Sequence, residues 1–404
     1  MARITPPEDE GPAPAAGKKP RHAVRMVFAF VAAAYAAWLI IQIVSYKKYV
    51  TPPEIARAEI GPPGTPGAAY DESSYEPVEL RGAYHMHTRH SDGAKSVEEV
   101  AAAAERAGLD FIIVTDHGAP NLPSLDAQGK IGRVMVIAGT EISSSRGHLV
   151  ALGFARPPKP FSQNADLAVR EVKSLGGFSV VAHPYSKTRW SWGDQTEFDG
   201  IEIMNVDGDL RRGWVLTALC APILLVKPEA ALLKILDAPV ETTRKWDQLL
   251  ESTGRSINGF YGVDAHRLFY ETGLSVLNLH VQLGSLAPVD FPEASAAILE
   301  SLRQGWFYSA IDGAADPSGF RFWMLRGLPG PTILRARTPY SFAHETRLLR
   351  NGAVIASITG TNLEVEAREP GVYRIEVYLR ERTPLRRDVP WILSNPIIVR
   401  KDVP

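Results

Sequence analysis

Cysteine is almost absent from this chain. A single residue, Cys220, among 404 excludes an intramolecular disulfide framework and any cysteine-rich zinc site. Its apolar surroundings make it a buried packing residue. Charge of one sign is also lacking. Lys and Arg number 44 against 45 Asp and Glu, a net charge of −1, which leaves out the strongly basic surface of a nucleic-acid binder. With 45% hydrophobic and 22% charged residues the composition is that of a globular protein, and the length suits two or three domains.

One apolar run stands out. Met26 to Tyr46 holds 21 residues without a charge, roughly 31 Å as a helix, about the thickness of a hydrocarbon core. Lys47 and Lys48 follow where a cleaved signal peptide would need small residues, so an uncleaved membrane anchor is expected. Lys18, Lys19, Arg21 and Arg25 before the span, against Lys47, Lys48 and Arg57 after it, put the N-terminus in the cytoplasm and the bulk of the chain outside, in the periplasm. Residues 1–20 are a disordered cytoplasmic tail by composition, 21–48 the anchor and 49–76 a Pro/Gly-rich linker. A second apolar run, Trp214 to Val226, has 13 residues, too short to span, and reads as a buried or lid helix, with an interfacial helix touching the membrane as the alternative.

Over 77–334 short apolar runs, among them Phe111–Thr115, Val134–Ala138, Phe178–Ala182 and Phe260–Val263, alternate with helical patterns such as Ser96–Ala107. That alternation predicts an α/β fold with a mostly parallel sheet. Over 335–404 the pattern changes. Asn351-Gly352 lies between apolar residues, and Leu363–Ala367 and Tyr373–Leu379 alternate with period two around Pro370-Gly371, which predicts a small antiparallel β-sandwich.

The chemistry-bearing residues follow the apolar runs of the α/β region: His85 and His87, then Asp92, Asp116 and His117, Glu141, His148, His183, and Asp264 with His266. Neutral imidazoles and carboxylates are the ligands of zinc, manganese or iron. On a regular strand His85 and His87, two apart, face one way, as do Asp264 and His266. Singly, an HxH pair or a Ser-Asp-Gly turn is ordinary. Ligand-type residues at the same end of successive strands, where α/β barrels build their sites, point together to a multi-metal centre.

The wording of these segments carries a resemblance. Tyr84-His85-Met86-His87-Thr88-Arg89-His90-Ser91-Asp92-Gly93, Thr115-Asp116-His117, Gly139-Thr140-Glu141, His183-Pro184 and Gly262-Val263-Asp264-Ala265-His266 resemble, in order, the motifs of the PHP (polymerase and histidinol phosphatase) family, over about residues 78–283. The resemblance implies a distorted (β/α)7 barrel with two or three divalent metal ions. It implies His85, His87, Glu141 and Asp264 on the first metal, Glu141, His183 and His148 on the second, and Asp92, His117 and His266 on the third. Trp391–Pro396 and the terminal sandwich resemble the extracytoplasmic, carbaryl-hydrolase-like branch.

The expectation is a metal-dependent hydrolase, foremost a phosphoesterase whose nucleophile is a metal-activated hydroxide acting on a small ester. Asp264 is expected to orient or deprotonate the water and Asp116 to support it. Lys187, Arg189 and Arg267, directly after metal motifs, are expected to hold the phosphate. A carboxylic or carbamate ester hydrolase, with Trp190, Trp192 and Trp214 around an aromatic group, and a non-catalytic anchored binding module are the alternatives. Glu202 and Asn205 are expected only to line the cavity, and His90 and His280 to be structural.

Overall fold

The computed structural model describes residues 21–52, 78–185, 189–267, 270–284, 290–326 and 330–400. The expected tail over 1–20, the tether over 53–76 and Lys187 lie outside the described residues.

Helix α1 (Arg21–Ser45) comes first. Within it Val24–Ser45, 22 residues of mean hydropathy 2.3, is long and apolar enough to cross a membrane. The chain leaving α1 joins the body directly. The Tyr49 amide donates to Ala314 O (3.2 Å), and the Asp316 amide donates to Tyr49 O (2.8 Å).

β1 (Glu79–Met86), α2 (Val97–Arg106), β2 (Phe111–Val114), α3 (Leu122–Asp126), β3 (Gly129–Ile131) and β4 (Val134–Ala138) follow. Helix α2 starts where the sequence says it must. Ser96 Oγ accepts from the Glu99 amide, the Glu99 carboxylate accepts from the Ser96 amide, and Val97, Val100, Ala101 and Ala104 turn one apolar face to the sheet. β1, β2 and β4 are parallel, and β3 folds back antiparallel on β4. A second sheet takes β5 (Thr140–Ser144), β6 (Gly147–Leu152), β7 (Phe178–Val181), which follows α4 (Ala165–Ser174), β8 (Gly200–Asn205) and β9 (Asn258–Gly262), in that order. Between β8 and β9 lie α5 (Val206–Arg212), α6 (Trp214–Val226), α7 (Pro228–Ile235) and α8 (Val240–Thr253). The chain then returns through α9 (Tyr270–Val276), β10 (Asn278–Gln282), α10 (Phe291–Gln304) and β11 (Phe307–Ala310) to the β1 side of the first sheet.

The fold is mixed α/β, and less parallel than expected. β5–β6–β7 and β1–β10–β11 are antiparallel; the β5–β6 connection is far too short for the crossover that a parallel pair requires. The two sheets meet where the ligand-bearing ends lie. His117 bridges to Glu141 and Met86 to Ala265, and the Asp264 amide donates to His85 O (2.7 Å).

The C-terminal strands are β12 (Arg321–Arg326), β13 (Thr332–Arg337), β14 (His344–Arg350), β15 (Ala353–Ile358), β16 (Asn362–Glu366), β17 (Gly371–Leu379), β18 (Ile392–Ser394) and β19 (Ile397–Val399). The Asn351-Gly352 hairpin forms between β14 and β15, with both residues at positive φ (50° and 79°). The two alternating segments around Pro370-Gly371 do not pair with each other. β16 joins β12 and β13 in a three-stranded sheet, whereas β17 and β18 extend the eleven-stranded sheet through the Tyr308–Ser394 pair.

Of the readings open for the Trp214–Val226 run, a fully buried helix is not the one observed. In α6 only Cys220 and Ile223 are fully buried, as expected for the cysteine, while Trp214, Val215, Leu219, Leu225 and Val226 are exposed. Its covered side faces α1 and α7, where Trp38, Leu39 and Ile43 pack on the Cys220 cluster.

His280 is structural, as expected. It is buried on β10 between Glu79 (Nδ1–Oε1 2.9 Å) and Asp312 (Nε2–Oδ1 3.0 Å). Burial works against its charged form, but Asp312 and Glu79 outweigh burial and lift its pKa to about 10. The folded state therefore binds this proton more tightly than the unfolded chain. The stabilisation is complete below the ordinary histidine value and is lost as pH rises through about 10. Urea unfolding followed from pH 6 to pH 10 should show this decline, and His280→Gln should flatten it.

Candidate metal centre

The site lies where the ends of β1, β2, β7 and β9 meet β5 and β6. Three of its side chains come from backbone that L-residues seldom adopt: His85 (φ 67°), His183 (φ 28°) and Asp264 (φ 54°), three of the four non-glycine residues at positive φ among those described. A regular pleat would have set His85 and His87 on one face. Instead the β1–β2 register shifts between Tyr84 and Met86, and the kink aims His85 inward. Asp264 likewise sits beyond the end of β9 rather than on it. Glu141, expected at the end of a strand, is the second residue of β5. Such strained positions persist only where surrounding bonds hold them.

The surrounding bonds are present. The single proton of Tyr270 Oη is shared between His87 O (2.8 Å) and His266 O (2.6 Å), tying two ligand loops together. Gly93 closes the turn that presents Asp92, since a Cβ there would stand 2.4 Å from His87 O. Asp116 accepts from the Thr88 amide, Thr88 Oγ1 and Ser124 Oγ (2.6 Å each) and from Ser91 Oγ (2.5 Å). Burial would raise its pKa, but these donors hold it below the ordinary value. With its oxygens so engaged, Asp116 fixes the 88–91 loop and takes no place in the ligand cluster.

The nine expected ligands come together. Four overlapping groups, each with donor atoms within 4.8 Å of one another, account for all of them: His87, Asp92, His117 and His266; His85, His87 and Glu141; His85, His183 and Asp264; His117, Glu141 and His148. Glu141 is central. Its Oε1 lies 2.7 Å from His148 Nδ1 and 2.9 Å from His183 Nε2, and its Oε2 lies 3.2 Å from His85 Nε2 and 3.1 Å from His87 Nε2. The grouping is more shared than expected, with His87 and His117 reaching two groups each and His183 standing with His85 and Asp264.

The residue that sequence reasoning undervalued is Glu202. It is buried in β8, with Oε1 against His85 Nδ1 and Oε2 accepting from the His183 amide (2.7 Å) and Asn205 Nδ2 (2.8 Å). Gly262 makes room for it, because a Cβ there would stand 2.8 Å from Oε1. The available signal was a lone carboxylate within the apolar run Ile201–Met204.

This contact tests whether the donor set suits a cation. A carboxylate on His85 Nδ1 requires that nitrogen to carry the proton, so Nε2 presents a lone pair. That lone pair faces Glu141 Oε2, Asp264 Oδ1 (3.4 Å) and His87 Nε2 (3.2 Å). Asp264 Oδ1 is buried without a hydrogen-bond partner. His266 repeats the pattern: Nδ1 donates to Asp264 O (2.9 Å), and Nε2 faces Asp92 Oδ2 (3.4 Å). Acceptors turned on acceptors in a buried site fit divalent cations. The carboxylates favour positive charge here: burial opposes a charged imidazole, yet Asp264 and Glu141 hold His87 up to about 9, and Glu202, Asp264 and Glu141 hold His85 well above its ordinary value, so that protons and divalent cations compete for the same nitrogens.

A cavity of about 450 Å³ opens on Asp92, Asp264 and His266, with Arg267 on its wall. Arg189 is exposed and lines neither this cavity nor the small one at His183. The three tryptophans do not form one group. Trp192 is buried, Trp190 lies against Phe198 and under Lys245, and Trp214 is exposed on α6.

Residues 83–272 match the family model of the PHP domain. No curated protein matches the chain. Among solved structures it is similar to a two-domain protein from Bacteroides vulgatus that contains a predicted PHP-like metal-dependent phosphoesterase. The identity is 14% and the TM-score 0.39, over 80% of this chain and 96% of that one. It is also similar to an amidohydrolase from Chromobacterium violaceum, with identity 17% and TM-score 0.31, over 48% of this chain and 89% of that one.

Glu202→Gln should keep the fold and weaken divalent-metal binding by roughly 10–100-fold, as for other carboxylates that orient a ligating histidine. Competition against a chromogenic chelator measures this, and an unchanged affinity would show that Glu202 does not set the His85 tautomer.

Proposed function

We propose that this protein is a metal-dependent hydrolase acting on phosphoesters, built on a distorted barrel of the PHP type. The observation that carries the reading is the convergence of nine ligand-type side chains with lone pairs facing one another in a buried site that opens on a cavity. His85, His87, Glu141 and Asp264 would hold one cation, Glu141, His148 and His183 a second, and Asp92, His117 and His266 a third, the ions being zinc, manganese or iron. Bound divalent ions supply Lewis-acid polarisation and a water ionised near neutral pH.

The chain's own residues do the rest. Glu202 orients His85, and Asp116 orients the loop of His87 and Asp92. Asp264 is buried at the cavity wall. Burial would raise its pKa, but His85, His87 and His183 hold it well below the ordinary carboxylate range. It thus stays an acceptor that orients a water proton. Arg267 offers a cation to the substrate's anionic oxygens, which favours a phosphoester over a neutral ester. With the tryptophans dispersed, no specific observation supports the aryl-ester alternative.

The N-terminal helix is read as an uncleaved anchor, with the catalytic part on the periplasmic side. The bonds of Tyr49 to Ala314 and Asp316 support this, since they make the segment after the helix part of the folded body.

Full-length protein loaded with manganese or zinc should hydrolyse p-nitrophenyl phosphate or bis(p-nitrophenyl) phosphate in preference to p-nitrophenyl acetate. His183→Ala should lower kcat/KM by on the order of 100-fold with folding retained. Turnover of the acetate alone would reverse the substrate assignment. The anchor has its own test: the expressed chain should keep its full mass in carbonate-washed membranes, whereas release with a new N-terminus after residue 45 would mark a cleaved signal.

A further inference from the structure

The 450 Å³ cavity has a second wall that the metal chemistry does not explain. Besides Asp92, Asp264, His266 and Arg267 it is lined by Leu210 of α5, Thr217 and Leu224 of α6 and Leu232 of α7. A site for small soluble phosphoesters has no need of that leucine wall, and α6, which contributes to it, is the helix whose other face is exposed and apolar from Trp214 to Val226.

The neighbour of α6 says what covers that face. Helix α1 packs beside it, on the covered side of α6, with Tyr35 Oη donating to Leu219 O (2.7 Å) and Trp38, Leu39 and Ile43 against the Cys220 cluster. From Tyr35 to Ser45 the helix rises about 15 Å, half of a ~30 Å hydrocarbon core. If α1 crosses a membrane, Leu219–Val226 of α6 lies beside the half of the span that ends at Tyr46. No charged residue occurs in α6, and Lys227 follows it. The Lys227 ammonium lies 6.0 Å from the ring of Tyr46, at the end of the anchor, where aromatic and basic side chains meet headgroups.

We propose that the substrate is an amphiphilic phosphoester drawn from the bilayer: a lipid whose phosphate reaches the His/Asp/Glu cluster beside Arg267 and whose alkyl chain lies on Leu210, Leu224 and Leu232, with α6 embedded in the leaflet that supplies it. This rests on the hydrolase and anchor readings above and adds the substrate class to them. The reaction is hydrolysis of the P–O ester bond: water adds its oxygen to phosphorus, and the leaving oxygen takes a proton to become the lipid alcohol. A lipid moves from one apolar surrounding to another, so its advantage over a soluble phosphate is concentration at the membrane: each methylene adds roughly fourfold to partitioning, and four of them about two orders of magnitude.

The test uses the full chain in phosphatidylcholine nanodiscs, loaded with manganese or zinc. Oleoyl lysophosphatidate and glycerol 3-phosphate present the same reacting group with and without the chain. The expected kcat/KM ratio is about 100 or more in favour of the lipid, and Leu224→Gln should cut that ratio by about tenfold. A ratio near one, or one unmoved by Leu224→Gln, overturns the proposal while leaving the hydrolase reading intact. If neither these substrates nor the aryl phosphates turn over with metal bound, the hydrolase reading fails. Binding of a fluorescent lysophosphatidate then decides the lipid site, supported if Leu224→Gln weakens binding and overturned if it does not. The seat of α6 is read separately. In a Cys220→Ala, Leu225→Cys chain, a nitrobenzoxadiazole label should be quenched by spin-labelled lipid. No quenching, or ready disulfide cross-linking of two unlabelled copies at position 225, would give the face to solvent or to a second copy instead.

Discussion

The arrangement of the site depends on one buried contact, the carboxylate of Glu202 on His85 Nδ1. It fixes which nitrogen of His85 carries the proton and so turns a lone pair toward Glu141, Asp264 and His87. It also reaches the His183 amide, so one side chain sets the positions of two ligands at positive φ. A buried carboxylate so placed is tolerable because each oxygen has a donor. The ligand lone pairs it aligns face one another, and a proton or a bound cation between them relieves the repulsion.

Around that contact the fold works as a clamp. Two sheets meet at the His117–Glu141 and Met86–Ala265 bridges, Tyr270 ties the His87 and His266 carbonyls, and Asp116 gathers the hydroxyls of Thr88, Ser91 and Ser124. None of these groups needs to touch a metal or a substrate. They resist the relaxation that strained backbone at His85, His183 and Asp264 would otherwise undergo.

The other constraint is apolar. A helix of 13 residues without a charge, open on one side and shared with the cavity wall on the other, is costly in water. Packing α1 against it brings the membrane question and the active-site question onto the same four-turn helix, so that what solvates α6 and what fills the leucine wall become one problem.

How much of this was legible in the sequence varies by residue. The nine ligand-type residues, the buried Cys220, the structural His280, the apolar span before Lys47 and the Asn351-Gly352 hairpin could be read locally, because each rests on side-chain chemistry or on a turn that nearest neighbours dictate. The role of Glu202, the separation of β16 from β17, which face of α6 stays open and the dispersal of Trp190, Trp192 and Trp214 could not. Each depends on what a residue meets from a distant part of the chain: Glu202 is 117 positions from His85, and Tyr35 is 184 from Leu219. By itself the sequence determined which atoms can bind a cation and which stretches avoid water. Only the tertiary structure decided which lone pairs face one another and which apolar faces remain open, because both are properties of distance between segments that local propensity does not encode.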